Sequence, residues 1–380
     1  MRIGFIGYPS SRLSGSGTEF SIVESFRALG HEVVELTPKR KFFTRVRLFL
    51  KREFYDLWGR GSYWTSKDPG LLKETARSVE KQVVNLDLDC IVSYLIPYVA
   101  DLDLSIPVIL WPDICFQSLS RTYSKYSNLS VACRSDAIKA DQAAFEVAAK
   151  IIFPSSWAAS EAAQYHPVIK EKVEIVPYGP NLNRVPDASS VFSRIEDRDL
   201  VTLNLLFVGV EVERKGLDLA VELARKLNLS GIPCKLGILG LDKHQFNDEF
   251  IVNYGFLNKQ EHEAKIAEIY MNADILVMPS RAEAYGLVVD EAAAFGLPSI
   301  VSRVGGLAER VVNGKFGWAF SLETFVEDAF ICIKQLLLEP SVYRAASRSA
   351  RERFDNEMSW ETSARKVLRL IEKTRANWRD

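Results

Sequence analysis

Short apolar runs of strand length alternate with helical stretches along nearly the whole chain. Residues 2–8 form the first run, which turns at Pro9-Ser10-Ser11 into a helical pattern over 19–29. Gly30-His31 then leads to a second run over 32–36. Strand, crossover helix and parallel strand in that order make one βαβ unit. Further runs at 90–94, 108–111, 151–154 and 173–176 continue the series to Pro177-Tyr178-Gly179-Pro180. From 181 to 199 the chain is polar and carries no clear period, which predicts an irregular linker. A second series follows, with runs at 204–210, 235–239, 275–279 and 299–302. A helical pattern over 359–373 places Trp360, Val367, Leu368 and Ile371 on its apolar side. The predicted class is α/β, with two doubly wound, Rossmann-like domains at 1–180 and 200–357. The linker at 181–199 joins them, and a C-terminal helix at 358–380 is free to cross back to the first domain. Open α/β sheets bind ligands beyond the carboxyl ends of their strands, so the chemistry is expected in a cleft between two such sheets.

Composition narrows the function classes. The 380 residues are 47% hydrophobic and 26% charged, which suits two soluble domains. Lys plus Arg at 48 against Asp plus Glu at 49 leaves a net charge of −1, with no global field to recruit nucleic acid. No apolar run reaches the roughly 18 residues of a spanning helix; the longest, 91–100, is cut by Asp101 and Asp103. The first residues are broken too soon for a signal peptide and read as a buried strand. Cys90, Cys115, Cys133, Cys234 and Cys332 contain no Cys-x-x-Cys pair, and His31, His166, His244 and His262 form no ligand set. Reduced thiols in the cytoplasm fit this pattern, and a metal site does not.

Candidate chemistry concentrates in residues 274–298. A buried strand stops at Pro279, a polar loop carries Glu283, and a helix starts near Gly286-Leu287 with Glu291 a turn inside it. Free amides at such a helix start attract phosphate, and the two carboxylates suit hydroxyls of a sugar and a ribose; solvated surface acids are the plainer reading. Earlier, Phe207-Val208-Gly209-Val210 runs into a loop presenting Arg214 and Lys215 at a helix start, an arrangement suited to a diphosphate. In the first half, Ser14-Gly15-Ser16-Gly17-Thr18-Glu19 follows the first strand and precedes a helix, either as a backbone cradle or as an ordinary turn. Trp111-Pro112-Asp113 ends another strand, where Asp113 is a site residue or a helix cap.

Glu283 and Glu291, separated by seven residues around Tyr285-Gly286-Leu287, resemble the E-x7-E signature of retaining glycosyltransferases of the GT-B fold, family four. Gly296-x-Pro298, Ser302, Gly305-Gly306, Glu309 and Asn313-Gly314-x-x-Gly317 match that family's later block in order and spacing. The resemblance implies that Lys215 and Arg214 bind the donor diphosphate. It implies that Tyr285, Gly286 and Leu287 line it, that the Gly17 loop closes over it, and that Glu291 holds the ribose. Gly209 ends the strand leading to these cations, and Gly255-Phe256-Leu257 resembles the segment holding the nucleobase through backbone contacts. Glu283 would position the donor sugar. Val210 stands where family members often carry an arginine, and Asp113 lies near the place of a histidine that touches the sugar.

Residues 39–60 interleave Lys39, Arg40, Lys41, Arg45, Arg47, Lys51, Arg52 and Arg60 with Phe42, Phe43, Phe49, Phe54, Tyr55 and Trp58. An anionic membrane surface would accept such a helix; the alternative is a helix whose aromatics face the core. The resemblance thus implies a metal- and cofactor-free hexosyltransferase. It would move sugar from a nucleotide diphosphate donor to a glycan or lipid-linked acceptor in polysaccharide or glycolipid assembly, in the cytoplasm or on the inner membrane face. A sugar-nucleotide 2-epimerase and an inactive donor-binding subunit are the alternatives.

Overall fold

The computed structural model of the protein describes residues 1–9, 17–59, 61–182, 184–259 and 261–378. Ser14, Gly15 and Ser16 of the first glycine loop and Arg60 of the basic segment lie outside the described residues. The chain forms two compact units, one of Met1–Tyr178 with Trp360–Asp380, the other of Gly179–Ser359.

The first unit runs β1 (Arg2–Ile6), α1 (Thr18–Ala28), β2 (Glu32–Leu36), α2 (Phe42–Leu57), α3 (Pro69–Val83), β3 (Cys90–Ser93), β4 (Val108–Leu110), α4 (Phe116–Thr122), α5 (Val131–Val147), β5 (Lys150–Phe153), α6 (Ser156–Tyr165) and β6 (Val173–Ile175). Its strands form one sheet in the order β2-β1-β3-β4-β5-β6, and every pairing is parallel. Strands covered on both faces need continuous apolar sequence, and Cys90–Ser93 and Val108–Leu110 are buried at every position. Asp68, Ser130 and Ser155 cap α3, α5 and α6 by accepting from backbone amides in the first turn.

Within this unit α2 is built inside out. Leu48 is its one buried residue, whereas Phe42, Phe43, Val46, Phe49, Leu50, Phe54 and Leu57 are exposed, Phe43 at 84% and Leu57 at 81%. Their spacing puts most of them on one face, opposite the face that carries Leu48 and Thr44. The aromatics therefore do not enter the core. Polar anchors hold the inner side: Arg47 and Lys51 donate to Asp68 at 2.6 and 2.8 Å, and Tyr55 stacks on Tyr63 with ring centroids 5.1 Å apart. Burial raises the Asp68 carboxyl, but these two cations overcome it and hold it at about 2. Arg47 and Lys51 thus belong to the fold, and the outward basic set is Lys39, Arg40, Lys41, Arg45 and Arg52.

The second unit runs α7 (Ala188–Asp197), β7 (Leu203–Val208), α8 (Val212–Lys215), α9 (Leu217–Leu229), β8 (Cys234–Leu239), β9 (Ile251–Gly255), α10 (Glu263–Asn272), β10 (Ile275–Met278), α11 (Leu287–Ala294), β11 (Ser299–Ser302), β12 (Gly317–Phe320), α12 (Phe325–Leu338) and α13 (Pro340–Arg353). Its sheet is parallel throughout, in the order β12-β11-β10-β7-β8-β9. Strand alternation feeds two cores: Leu205, Phe207 and Val277 pack with α9 and α12, while Leu206, Leu276 and Met278 pack with α10 and α11.

Two expectations change. The segment 181–199 is not irregular: Asp187 caps α7, whose Val191 and Ile195 are fully buried. Two buried positions four apart are too few to show a period among serines and charges, yet they suffice to seat one short helix. The edge strands β9 and β12 also escape the apolar pattern, because they are less deeply buried than the central strands.

The last helix, α14 (Trp360–Trp378), packs in the first unit. Val367 and Ile371 are fully buried, Ser363 donates to the Pro177 carbonyl at 2.6 Å, and Arg375 pairs with Asp89. Truncating a fully buried Ile costs about 2–5 kcal/mol. Ile371→Ala should therefore lower hydrogen-exchange protection in β1 and β3 while leaving that of β7 and β10 unchanged, read peptide by peptide by mass spectrometry.

Candidate active site

The second unit has its topological switch point between β7 and β10, since the chain builds outward from β7 to β8 and β9 on one side and to β10, β11 and β12 on the other. A crevice at the carboxyl edge is expected there. Two loops meet at it. One leaves β7 through Gly209 and enters α8, which ends in Arg214 and Lys215; the other leaves β10 at Pro279 and reaches Gly286, the residue preceding α11.

Glycine makes the meeting possible. Gly216 has φ +73°, and a Cβ on it would stand 2.1 Å from the Pro279 carbonyl oxygen, so the α8–α9 junction rests directly on the end of β10. Arg281 locks this approach. Its amide donates to the Arg214 carbonyl at 2.7 Å, and its guanidinium reaches the Glu213 carbonyl at 2.8 Å and both Asp218 oxygens at 2.8 and 2.6 Å. Lys215 lies across the bare backbone of Gly209, where a Cβ would come within 2.9 Å of its Cγ.

The consequence is an ion cluster. Lys215 Nζ donates to Glu283 Oε2, and Arg214 Nη1 approaches the same oxygen at 3.4 Å and the Ala282 carbonyl at 3.0 Å. Lys215 and Glu283 are each only 8% exposed. On its other side Arg214 grips both Glu211 oxygens, at 2.8 and 3.1 Å. Residues far apart in sequence thus form one charge-balanced group, as a largely buried carboxylate requires. Ser280 Oγ, at the root of the same loop, is buried with no hydrogen-bond partner among the described residues. Gly286 is left-handed at φ +92°, and no side chain caps α11, which leaves its first amides as anion donors.

Glu291 is held separately. It is buried in α11, where Oε2 accepts from the Tyr270 hydroxyl at 2.9 Å and Oε1 from Lys259 Nζ. Burial and the neighbouring carboxylate raise the Tyr270 hydroxyl well above its ordinary value, so it stays a donor. Neither Lys259 nor Tyr270 was legible as a site residue, because no local motif carries them. The Tyr285 side chain points inward: its hydroxyl donates to Asp290 Oδ2 at 2.8 Å, and its ring lies 4.2 Å from the Arg310 guanidinium. Arg310 in turn donates to Asp290 Oδ1 at 2.6 Å, all inside the protein. Burial pushes the Asp290 carboxyl up, and Arg310 opposes it. These three residues form a strut behind the loop, again without a sequence motif to announce it.

At the end of β9 the Gly255 amide donates to Asn253 Oδ1 at 3.0 Å and the Phe256 amide to Asp242 Oδ1 at 2.9 Å, so side chains already hold that turn ahead of Leu257. In the first unit Gly17 is the left-handed N-cap of α1. Asp113 follows β4 and is half-buried; α4 begins at Phe116 behind Cys115, so Asp113 is not its cap. Asp141 Oδ2 takes the Phe116 amide instead, at 2.6 Å. Among the described residues no three His, Cys, Asp or Glu side chains gather as a metal-holding group. No helix among them is long and apolar enough to cross a membrane.

Residues 194–353 match the family described as glycosyl transferases group 1. Glycogen synthase of Mycobacterium tuberculosis is 34% identical over 109 residues, 29% of this chain and 26% of that protein. The chain spans about a quarter to a half of the length of the curated relatives it matches. Two solved structures share the fold almost end to end. Sucrose-phosphate synthase from Thermosynechococcus elongatus gives a TM-score of 0.70 at 18% identity, covering 99% of this chain and 100% of that one. Anabaena HepE in complex with UDP-glucose gives 0.65 at 13%, covering 98% and 100%. The architecture is the GT-B fold of two doubly wound parallel units.

Removing one partner of a buried ion pair costs about 3–5 kcal/mol, whereas replacing both with apolar groups is often neutral. Arg310→Met should accordingly destabilise the second unit by that amount, and Arg310→Met with Asp290→Leu should recover most of it in urea unfolding. Equal loss in both would remove the strut.

Proposed function

Residues 194–353 belong to the glycosyl transferases group 1 family, and from that premise we propose that the protein is a retaining, metal-independent glycosyltransferase. It moves a hexose from a nucleotide diphosphate donor to a hydroxyl of a glycan or lipid-linked acceptor, in polysaccharide or glycolipid assembly. The observation that carries this reading is the convergence of Lys215 and Arg214 on Glu283 at the switch point. HepE is described with UDP-glucose, which makes a uridine donor the first to test.

The chemistry follows from the charges. A diphosphate competes with Glu283 for Lys215 and Arg214, and with those cations drawn to phosphate the carboxylate is released toward the sugar hydroxyls. As the bond from the anomeric carbon to the diphosphate oxygen breaks, the two cations and the first amides of α11 stabilise the charge that develops on the leaving group. The acceptor oxygen forms the new bond on the same face, and its proton passes to the departing phosphate. Glu291, already set between Tyr270 and Lys259, holds the ribose hydroxyls.

Removing a single preorganised charge-stabilising group typically costs about 10²–10³ in kcat. Lys215→Ala should lose at least that much and weaken UDP binding. Glu283→Ala should abolish transfer while UDP still binds by calorimetry. Unchanged turnover in Glu283→Ala would remove it from the site; sugar isomerisation without acceptor would favour the epimerase reading, and donor binding without any turnover the inactive subunit.

The exposed face of α2 favours attachment to an anionic membrane, which would put the enzyme on the inner face of the cytoplasmic membrane. Its outward aromatics are flanked by Lys41, Arg45 and Arg52, and each basic residue near such a surface contributes about 1 kcal/mol. Phe49→Ser with Leu50→Ser should release the protein from phosphatidylglycerol vesicles in a flotation assay without changing its melting temperature. Equal flotation of wild type and variant would end the membrane reading.

A further inference from the structure

The first unit has a switch point of its own, furnished differently. β1 lies between β2 and β3, so the crevice opens over the carboxyl ends of β1 and β3. Tyr8 follows β1, and Tyr98, in the turn after β3, meets it edge to face with ring centroids 6.3 Å apart. Arg40 Nη2 donates to the Tyr98 hydroxyl at 3.4 Å. Beside this pair lies an open cavity of about 580 Å³ lined by Tyr8, Pro38, Lys39, Arg40 and Arg45.

The lining holds three cations and no carboxylate. Among the described residues no acid pairs with Lys39, Arg40 or Arg45, although neighbouring basic groups are matched: Arg2 with Glu32, Arg27 with Glu24 and Glu35, and Arg47 with Asp68. The nearby acids are committed elsewhere. Glu74 accepts from the Lys41 amide at 2.5 Å and from the Thr44 hydroxyl, and Glu19 accepts from the Tyr8 amide at 2.8 Å. Three uncompensated cations beside an aromatic wall exceed what one carboxylate needs and suit a group of charge near −2. Guanidinium forks match phosphate oxygens two at a time, and lysine adds a point charge.

We propose that this cavity is an anion site of the first unit and that it takes a phosphate or diphosphate ester. This phosphate site does not depend on the transferase reading above. Arg45 stands on α2, whose outer face is apolar, so the phosphate can belong to a lipid headgroup or to a soluble ester.

The test uses the full chain with UDP at saturation, titrated with inorganic phosphate and with glycerol 3-phosphate in a calorimeter. Wild type should bind glycerol 3-phosphate saturably. Arg40→Gln and Arg45→Gln, both at exposed positions, should weaken that binding at least tenfold with UDP affinity and melting temperature unchanged. A second arm compares phosphatidylcholine vesicles with and without phosphatidic acid. If the source is a lipid, wild type should prefer the phosphatidic acid vesicles and Arg40→Gln should lose the preference; if it is soluble, Arg40→Gln should change the calorimetric binding and leave vesicle binding as in wild type. Equal affinity of wild type and both variants, or no binding to either ester or vesicle, overturns the proposal. Should UDP fail to bind while phosphate binding still depends on Arg40, the donor reading falls and this site stands.

Discussion

The contact of Gly216 with the Pro279 carbonyl decides where Arg214, Lys215 and Glu283 can stand. No side chain fits between them, so α8 is pressed against the end of β10, and the two residues that precede Gly216 have nowhere to extend except over the loop that carries Glu283. Arg281 then ties the junction from below through Glu213 and Asp218. A larger residue at 216 would move Arg214 and Lys215 together, because a backbone contact of this kind cannot be relieved by a rotamer change.

Holding cations and a carboxylate together while largely buried has an energetic logic. Unpaired, each would suffer the desolvation penalty of a charge taken from water; paired, they form a neutral group that tolerates burial. A ligand carrying negative charge can enter by exchanging places with Glu283, which requires no new ion to be stripped of water. The same reasoning separates the two switch points. In the second unit the cations have an internal partner to exchange, whereas Lys39, Arg40 and Arg45 in the first have none and remain solvated around an open cavity. One site is poised for substitution, the other for capture.

Sequence periodicity carried the fold class, the parallel sheets and most strand positions, because strands buried on both faces must be apolar without interruption. The motif from Glu283 to Glu291 likewise led to the family, since close packing of strand, loop and helix leaves few alternatives at those positions. What stayed hidden depends on contacts between distant residues. No motif links Asp290 to Arg310, yet they meet inside the protein. Lys259 and Tyr270 have no sequence relation to Glu291 until β9, α10 and α11 are folded. In 181–199 the two core positions of α7, Val191 and Ile195, were too few to reveal the helix, although their burial is complete.

The helix α2 shows the limit of amphipathicity as a guide to burial. Its apolar stripe is as regular as that of a core helix, and periodicity alone says that the stripe is buried somewhere, not that it is buried in this chain. The deciding information sits outside the helix. Asp68, which caps α3, recruits Arg47 and Lys51 and so sets which side of α2 faces the rest of the unit. Once two cations are committed to a carboxylate held near an acidity of about 2, rotating the helix to bury Phe49 and Leu50 would break both pairs and expose the capped helix end. The ion pairs fix the rotation, and the aromatics face outward because Arg47 and Lys51 are held to Asp68.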